Sequence, residues 1–402
     1  MMGTTTRFST DSLEGTLILA CLRARYARGC NRAFPYTICD RVSWPKVLAI
    51  ARRHGIVPLL YEALSENPFH IPEKTSAELK KQFYQDAINS FRYAAELVRL
   101  CGHLQRHGVR ALPFKGPTLA ALLYRKLSLR KIRDLDILVT KDQIDLALDV
   151  LKTCGYAPAT AADHSNVSRE GKHVLLADQS AGFQVELHWA IADPAFGFSL
   201  RFDLLWAERQ NVTLLTHPIA TVSRENLLLI LGAHGTSHCW ESLKWICDIA
   251  QAATVFPDLD WTSLLNNAHA LGCKRMLLTG MALARNICEI ELPQPVERNV
   301  NSDKRAIELC KEIQSRLFAP KRRLGYLERI LTFIQSRERL RDRMHFICAE
   351  LRPTERDRRV IDLPDSMRIL YVPIRLVRVV LFHWRKAIVP LLCGVSSVSV
   401  RD

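Results

Sequence analysis

Residues 114–139 read FKGPTLAALLYRKLSLRKIRDLDILV, and the way this stretch ends, Asp134-Leu135-Asp136 running into Ile137-Leu138-Val139, decides how the chain is read. Side chains alternate along a strand, so Asp134 and Asp136 project to one face while Leu135 and Ile137 project to the other. Two like charges held that close call for a cation, and oxygen-ligated Mg²⁺ or Mn²⁺, which also bridges to phosphates, is the natural occupant. A bare DxD is weak evidence, because such a pair often does no more than cap a strand on its solvent side. The setting strengthens it. Upstream, Lys115-Gly116 makes a turn between a strand candidate and a helix candidate. A helix start behind a glycine presents free backbone N–H groups where phosphate groups bind well, and Lys115 adds a cation there.

Working outward, Val109 to Phe114 is a short strand candidate, Pro117 to Tyr124 a helix, and Leu135 to Val139 an apolar strand. Thr140 with Gln143 forms a capping box for the helix DQIDLALDVLKTC, which Gly155 terminates. A hairpin follows: HVLLA, a turn from Asp178 to Gly182, then FQVELHW. In that last strand Phe183, Val185, Leu187 and Trp189 share one face, and Gln184, Glu186 and His188 the other. Glu186 therefore stands on a face whose apolar counterpart is already assigned. It is placed to complete a metal site or to take a proton from an attacking hydroxyl.

The flanks read as helix. In SWPKVLAIARRHGI, Ser43 is the cap, Pro45 fits the first turn, Trp44, Val47, Leu48 and Ala51 make one stripe, and Gly55 ends it. From Leu79, the positions Phe83, Ala87, Ser90, Ala94, Leu97, Cys101 and Leu104 give a long amphipathic helix closed by Gly108. After about Ala220 the helical period returns in ENLLLILGAHG, LKWICDIAQAATVF and MLLTGMALARNIC. The expected fold class is α+β: a small mixed sheet in residues 105–215, between a helical N-terminal lobe (1–104) and a helical C-terminal lobe (216–402).

A chain of 402 residues, 48 % hydrophobic and 24 % charged, has the balance of a folded protein with room for more than one lobe. Its formal charge of +15 makes anionic partners the expectation: nucleotide, nucleic acid or acidic lipid headgroups. Much of the excess follows Lys304, in Lys321-Arg322-Arg323, Arg337 to Arg343 and Arg356 to Arg359. These basic helices read either as a solvated face or as a peripheral contact with an anionic surface. The 12 cysteines show no CxxC or CxxH spacing and read as reduced core residues. The opening MMGTTTRFSTDSLEG lacks the pattern of a secretory signal, which gives a cytoplasmic expectation. Arg375, Arg378 and Arg385 break up the best membrane-span candidate, Ile369 to Leu392, and the closing GVSSVSVRD reads as a frayed tail.

The order KG, helix, R-x-x-x-D-x-D-hydrophobic and then a distant hydrophobic-E-hydrophobic resembles the DNA-polymerase-β-like nucleotidyltransferase superfamily. More narrowly it is similar to the bacterial family of uncharacterised nucleotidyltransferases, well over residues 109–250 and loosely over most of the chain. The resemblance implies that Asp134 and Asp136 hold the metal ions, that Glu186 is the third carboxylate, and that Gly116 lines the phosphates of an NTP. Arg130 matches a position that family tends to fill with Arg. A second stretch, HGTSHCWESLKWICDIA, also resembles the family, and implies that His234, Lys244 and Asp248 pack over the sheet and face the nucleotide. One departure is plain: the usual Gly-Ser before the helix is Lys115-Gly116 here, followed by Pro117, so the hydroxyl that normally touches a phosphate is absent.

The same residues admit plainer readings. Lys244 and Asp248 stand four apart and would make a surface ion pair, with His234 a core histidine. His234 and His238 have an HxxxH spacing that suits zinc, yet no Glu follows the first His and no third ligand is near in sequence. The expected activity is metal-dependent transfer of NMP from an NTP to an acceptor hydroxyl, the acceptor being a small molecule, saccharide, peptide or RNA. Two other classes compete: a sugar-nucleotide glycosyltransferase, whose DxD normally ends rather than begins its apolar strand, and a non-catalytic module binding RNA or a membrane surface.

Overall fold

The computed structural model describes residues 10, 12–26, 38–66, 71–159, 171–178, 180–319, 324–352, 361, 367, 370–375 and 377–378. Lys321-Arg322-Arg323, Arg356 to Arg359, most of Ile369 to Leu392 and the closing GVSSVSVRD lie outside the described residues, as does most of the opening segment.

Four helices come first: α1 (Leu13–Tyr26), α2 (Trp44–His54), α3 (Val57–Ser65) and the long α4 (Glu73–Arg106). In α2 the expected stripe of Trp44, Val47, Leu48 and Ala51 is buried, Pro45 sits in the first turn, and Gly55 ends the helix in the left-handed region. Ser43 does not cap it through its side chain; its backbone N–H instead donates to Glu14. Helix α4 begins at Glu73, ahead of the Leu79 expected from periodicity, because its first turns carry mostly exposed polar residues and hide the apolar period.

The centre of the chain builds a small mixed sheet. Its elements are β1 (Leu112–Pro113), α5 (Gly116–Leu119) continuing as a π turn over Ala120–Tyr124, β2 (Leu135–Leu138), α6 (Ile144–Thr153), β3 (Tyr156–Pro158), β4 (His173–Asp178) and β5 (Gln184–His188). The five strands lie in the order β1-β2-β5-β4-β3, with β2 and β5 parallel and the remaining pairs antiparallel. The β4–β5 hairpin follows its expectation, whereas β1 is only two residues long and β3 had no sequence counterpart. The capping box at Thr140 does not form. The Thr140 hydroxyl has no partner, and Gln143 turns away to accept from the Arg110 N–H and donate to the Gly108 carbonyl, tying the helix start to the turn that enters β1. A 3-10 turn, Lys141–Gln143, takes the place of the first helical turn.

A short helix, α7 (Phe202–Ala207), and a ribbon, β6 (Gln210–Leu214) with β7 (His217–Thr221), lead into the second helical region. It comprises α8 (Arg224–Ser237), α9 (Leu243–Val255), α10 (Trp261–Leu271), α11 (Lys274–Cys288), α12 (Gln294–Ser302), α13 (Lys304–Leu317), α14 (Tyr326–Gln335) and α15 (Leu340–Leu351). The fold is therefore α+β, a small mixed sheet among many helices.

Two apolar clusters hold this together. One joins α1 to α3 with α8, α9, α11 and α13; the other packs α4 and α6 on the sheet through Leu97, Leu100, Ile137, Leu151, Val185 and Leu187. Arg337 is not part of a solvated face: it is 1 % exposed and stands over the Phe196 ring at 4.7 Å. No described helix is long and apolar enough to cross a membrane.

Among the described residues Trp240 is the largest fully buried side chain, its six-membered ring set between Gly235 of α8 and Gly280 of α11. A Cβ on Gly235 would lie 2.4 Å from that ring. The Gly235→Ala variant is expected to lose about 1–3 kcal/mol to overpacking, measured as a lowered urea midpoint; an unchanged midpoint would contradict this packing.

Candidate active site

The two strands that carry the acids are neighbours. Parallel pairing of β2 with β5 sets Asp136 directly beside Glu186 and Leu138 beside His188. Ile137, Val185 and Leu187 fill the core on the opposite face, and this apolar burial fixes the register, since a one-residue slip would turn the acids inward. Helix α4 braces the segment entering β2 by three contacts to its carbonyls: Asn89 donates to Ile132, Ser90 to Arg130 and Tyr93 to Arg133. Asp134, at the mouth of the strand, is half-buried; Asp136 is only 4 % exposed.

Asp136 is the most heavily engaged group. Lys115 Nζ lies 2.5 Å from its Oδ1, and His188 Nε2 lies 3.2 Å from the same oxygen and 3.0 Å from Glu186 Oε2. Burial works to raise the Asp136 pKa, but the Lys115 charge and the His188 hydrogen bond outweigh it and hold the carboxyl well below its usual range. Burial opposes ionisation of Glu186 too, and there the His188 bond prevails and lowers it. Asp134 goes the other way: burial first, then the Asp136 charge, push its carboxyl up. Of the three acids, Asp134 is therefore the one whose ionised form burial and the Asp136 charge disfavour.

Two further groups stand on this face. His173 of β4 is the cross-strand partner of His188, their rings stacked at 4.9 Å, and burial and His188 depress its pKa to about 4, which leaves it a neutral imidazole. Nδ1 of each ring is buried without a hydrogen-bond partner. Among the described residues, His173, Glu186 and His188 have donor atoms all within 4.8 Å of one another, close enough to share a metal ion. Sequence reading put His188 on the Glu186 face without giving it a role. His173 becomes visible only once the hairpin register is known.

Gly116 follows Lys115 with a φ of +56°, and a Cβ there would meet the Asp134 carbonyl oxygen at 3.1 Å. Lys115-Gly116 is thus a tight backbone approach that sets the Lys115 ammonium on Asp136. A small cavity of about 40 Å³ touches Lys115, Lys172, His188 and His234.

The residues of the second stretch divide. Asp248 is fully buried and does not pair with Lys244 on a surface: it accepts from Arg130 Nε at 3.0 Å and Nη2 at 3.0 Å, and from the Tyr124 hydroxyl at 2.9 Å. Arg130 and Asp248 thus tie α9 to the chain before β2. Lys244, one turn earlier on α9, is half-buried, and burial together with Arg130 drops its pKa to about 8. His234 and His238 meet at 4.7 Å and both pack on Trp245. Burial and then Lys115 keep His234 neutral, with its pKa well below the usual value.

The model of the uncharacterised nucleotidyltransferase family matches residues 40–289, well over half of the chain. The chain belongs to that family. No curated protein and no solved structure gives a match. The matched span of this nucleotidyltransferase runs from the last turn before α2 to the residue after α11, and so takes in the paired acids, Lys115, the Arg130–Asp248 tie and Lys244.

Removing one side of a buried ion pair strands the other charge, at a cost of about 3–5 kcal/mol. Asp248→Ala is expected to show a loss of that size in denaturant unfolding; a change below about 1 kcal/mol, the range of an exposed pair, would mean that Arg130 finds another anion.

Proposed function

We propose that this nucleotidyltransferase is an enzyme moving an NMP from an NTP to an acceptor hydroxyl with release of pyrophosphate, and that Asp134, Asp136 and Glu186 carry the chemistry. The supporting observation is the register of β2 with β5, which sets Asp136 beside Glu186 with Lys115 on the shared face. Three acids around one lysine suit a divalent cation, whose charge would offset the burial and the Asp136 repulsion that disfavour an ionised Asp134. Mg²⁺ or Mn²⁺ held by Asp134, Asp136 and Glu186 would supply Lewis-acid neutralisation of phosphate charge. The imidazoles of His173 and His188 would add nitrogen donors beside Glu186, which a transition-metal ion accepts more readily than Mg²⁺ does.

In the transfer, the acceptor oxygen bonds to the α-phosphorus while the bond from α-phosphorus to the bridging oxygen breaks, and pyrophosphate departs with that oxygen. Glu186, half-buried on β5 where Asp136 beside it is buried, takes the hydroxyl proton, and His188 orients it through the Nε2 contact. Lys115, Gly116, His234 and Lys244 face the nucleotide and its phosphates. Arg130 and Asp248 act as positioning residues that fix α9, and with it Lys244, against the mouth of β2.

With each labelled NTP, Mn²⁺ or Mg²⁺ and a cell extract, the wild-type chain is expected to leave label on an acceptor. Asp136→Asn should lower this by a factor on the order of 10³ while circular dichroism stays native. Chelation of the divalent ion should stop transfer in the wild type. Full turnover by Asp136→Asn, or turnover indifferent to chelator, refutes the assignment.

A further inference from the structure

A cavity of about 640 Å³ lies among α2, α9, α13 and the segment that leads into β2. That size falls within the roughly 300–1,000 Å³ of small-molecule sites. Lys131 and Arg133 in its wall run directly into Asp134, and Lys244, also in the wall, interacts electrostatically with Asp134. The cavity therefore adjoins the Asp134 end of the acid centre.

Its polar groups are unevenly satisfied. Lys131 pairs with Asp86, and Arg53 donates to the Leu317 and Ala319 carbonyls. Of the wall's acids, Glu328 accepts from the Gly325 N–H, and Glu241 stands 4.0 Å from Arg329. What is left over is all of one kind. Among the described residues the exposed Arg133 and the half-buried Lys244 and Arg316 have no ion-pair partner. Cations without a carboxylate partner around one cavity are complementary to an anion, and several positive groups together match a dianion better than a single carboxylate. Trp245, half-buried and stacked on His238 at 4.7 Å, adds a flat apolar wall.

We propose that this cavity holds the acceptor, and that the acceptor is a small phosphate monoester carrying a free hydroxyl. The proposal rests on the transfer reading above and names its missing substrate class. The monoester's phosphate is bound by Arg316 and Arg133, on the side of the cavity away from the nucleotide, and is chemically unchanged. Its hydroxyl supplies the oxygen that bonds to the α-phosphorus of the NTP, with pyrophosphate leaving and the proton passing to Glu186.

The test titrates the full chain, in chelator, with glucose 6-phosphate and glycerol 3-phosphate, and with glucose and glycerol as unphosphorylated controls. Binding is read by calorimetry and by tryptophan emission, since Trp240 and Trp245 form part of the wall. Saturable binding of at least one phosphorylated probe, absent for its control, is expected. Arg316→Met should weaken it about tenfold or more, as loss of a charge-assisted contact does, Arg316→Lys should restore part of it, and the affinity for Mg²⁺-ATP should be unchanged. Equal binding of phosphorylated and unphosphorylated probes, or no binding of either, overturns the proposal. So does an equal loss of Mg²⁺-ATP affinity in Arg316→Met, which gives the cavity to the nucleotide. Failure of the transfer reading shows separately, as Asp136→Asn retaining full turnover while phosphate-ester binding persists.

Discussion

The site is governed by the cost of keeping ionised carboxylates away from water. Asp136 is buried on a strand whose other face is core, and an isolated charge there would neutralise rather than persist. Lys115 keeps it ionised, and Lys115 reaches it because Gly116 adopts a left-handed conformation that lets the chain pass close to the Asp134 carbonyl. His188 adds a donor shared with Glu186, so the acids are not independent. The same cost acts on Asp134, whose pKa is raised by burial first and then by the Asp136 charge.

The sheet alone does not complete the site; a buried ion pair joins it to the second helical region. Arg130 precedes the acid strand and Asp248 sits on α9, and their two-pronged contact is reinforced by the Tyr124 hydroxyl. Buried pairs of this kind add little net stability but fix orientation, because any misplacement leaves a bare charge. Here the fixed quantity is the position of α9 relative to β2, and hence the distance from Lys244 to Asp134. On the opposite side, α4 holds the same segment by its carbonyls through Asn89, Ser90 and Tyr93. The mouth of the strand is therefore held both by α9 and by α4.

How much of this was legible in the sequence varies with the range of the interaction. The β4–β5 hairpin and the apolar stripe of α2 are local patterns of period two and period 3.6, and both stand where the pattern put them. The acids were legible for the same reason: alternation around Leu135 and Leu187 leaves Asp136 and Glu186 on the other face. The capping box at Thr140 failed because a long-range competitor, the backbone around Gly108 and Arg110, engaged Gln143. Asp248 was legible as a charged residue four after Lys244, but its true partner is Arg130, far away in the chain, and no spacing rule reaches that far. His173 was hidden likewise, since its place beside His188 exists only through the hairpin register.

The formal charge of +15 reads differently once individual cations are placed. Many are already neutralised where they stand: Arg130 by Asp248, Lys131 by Asp86, Arg275 by Asp303 and Arg339 by Asp342. The informative ones are those held without an anion in a place where that is costly. Lys244 is such a group, its pKa brought down to about 8 by burial and by Arg130. An unneutralised buried cation destabilises the empty fold, and an anion that binds only the folded chain recovers that free energy as affinity. Charge distributed over the surface draws anions in from a distance but is screened within about 10 Å at ordinary salt. On the proposed reading, specific capture falls instead to cations such as Lys244, which stands without an ion-pair partner and acts electrostatically on Asp134.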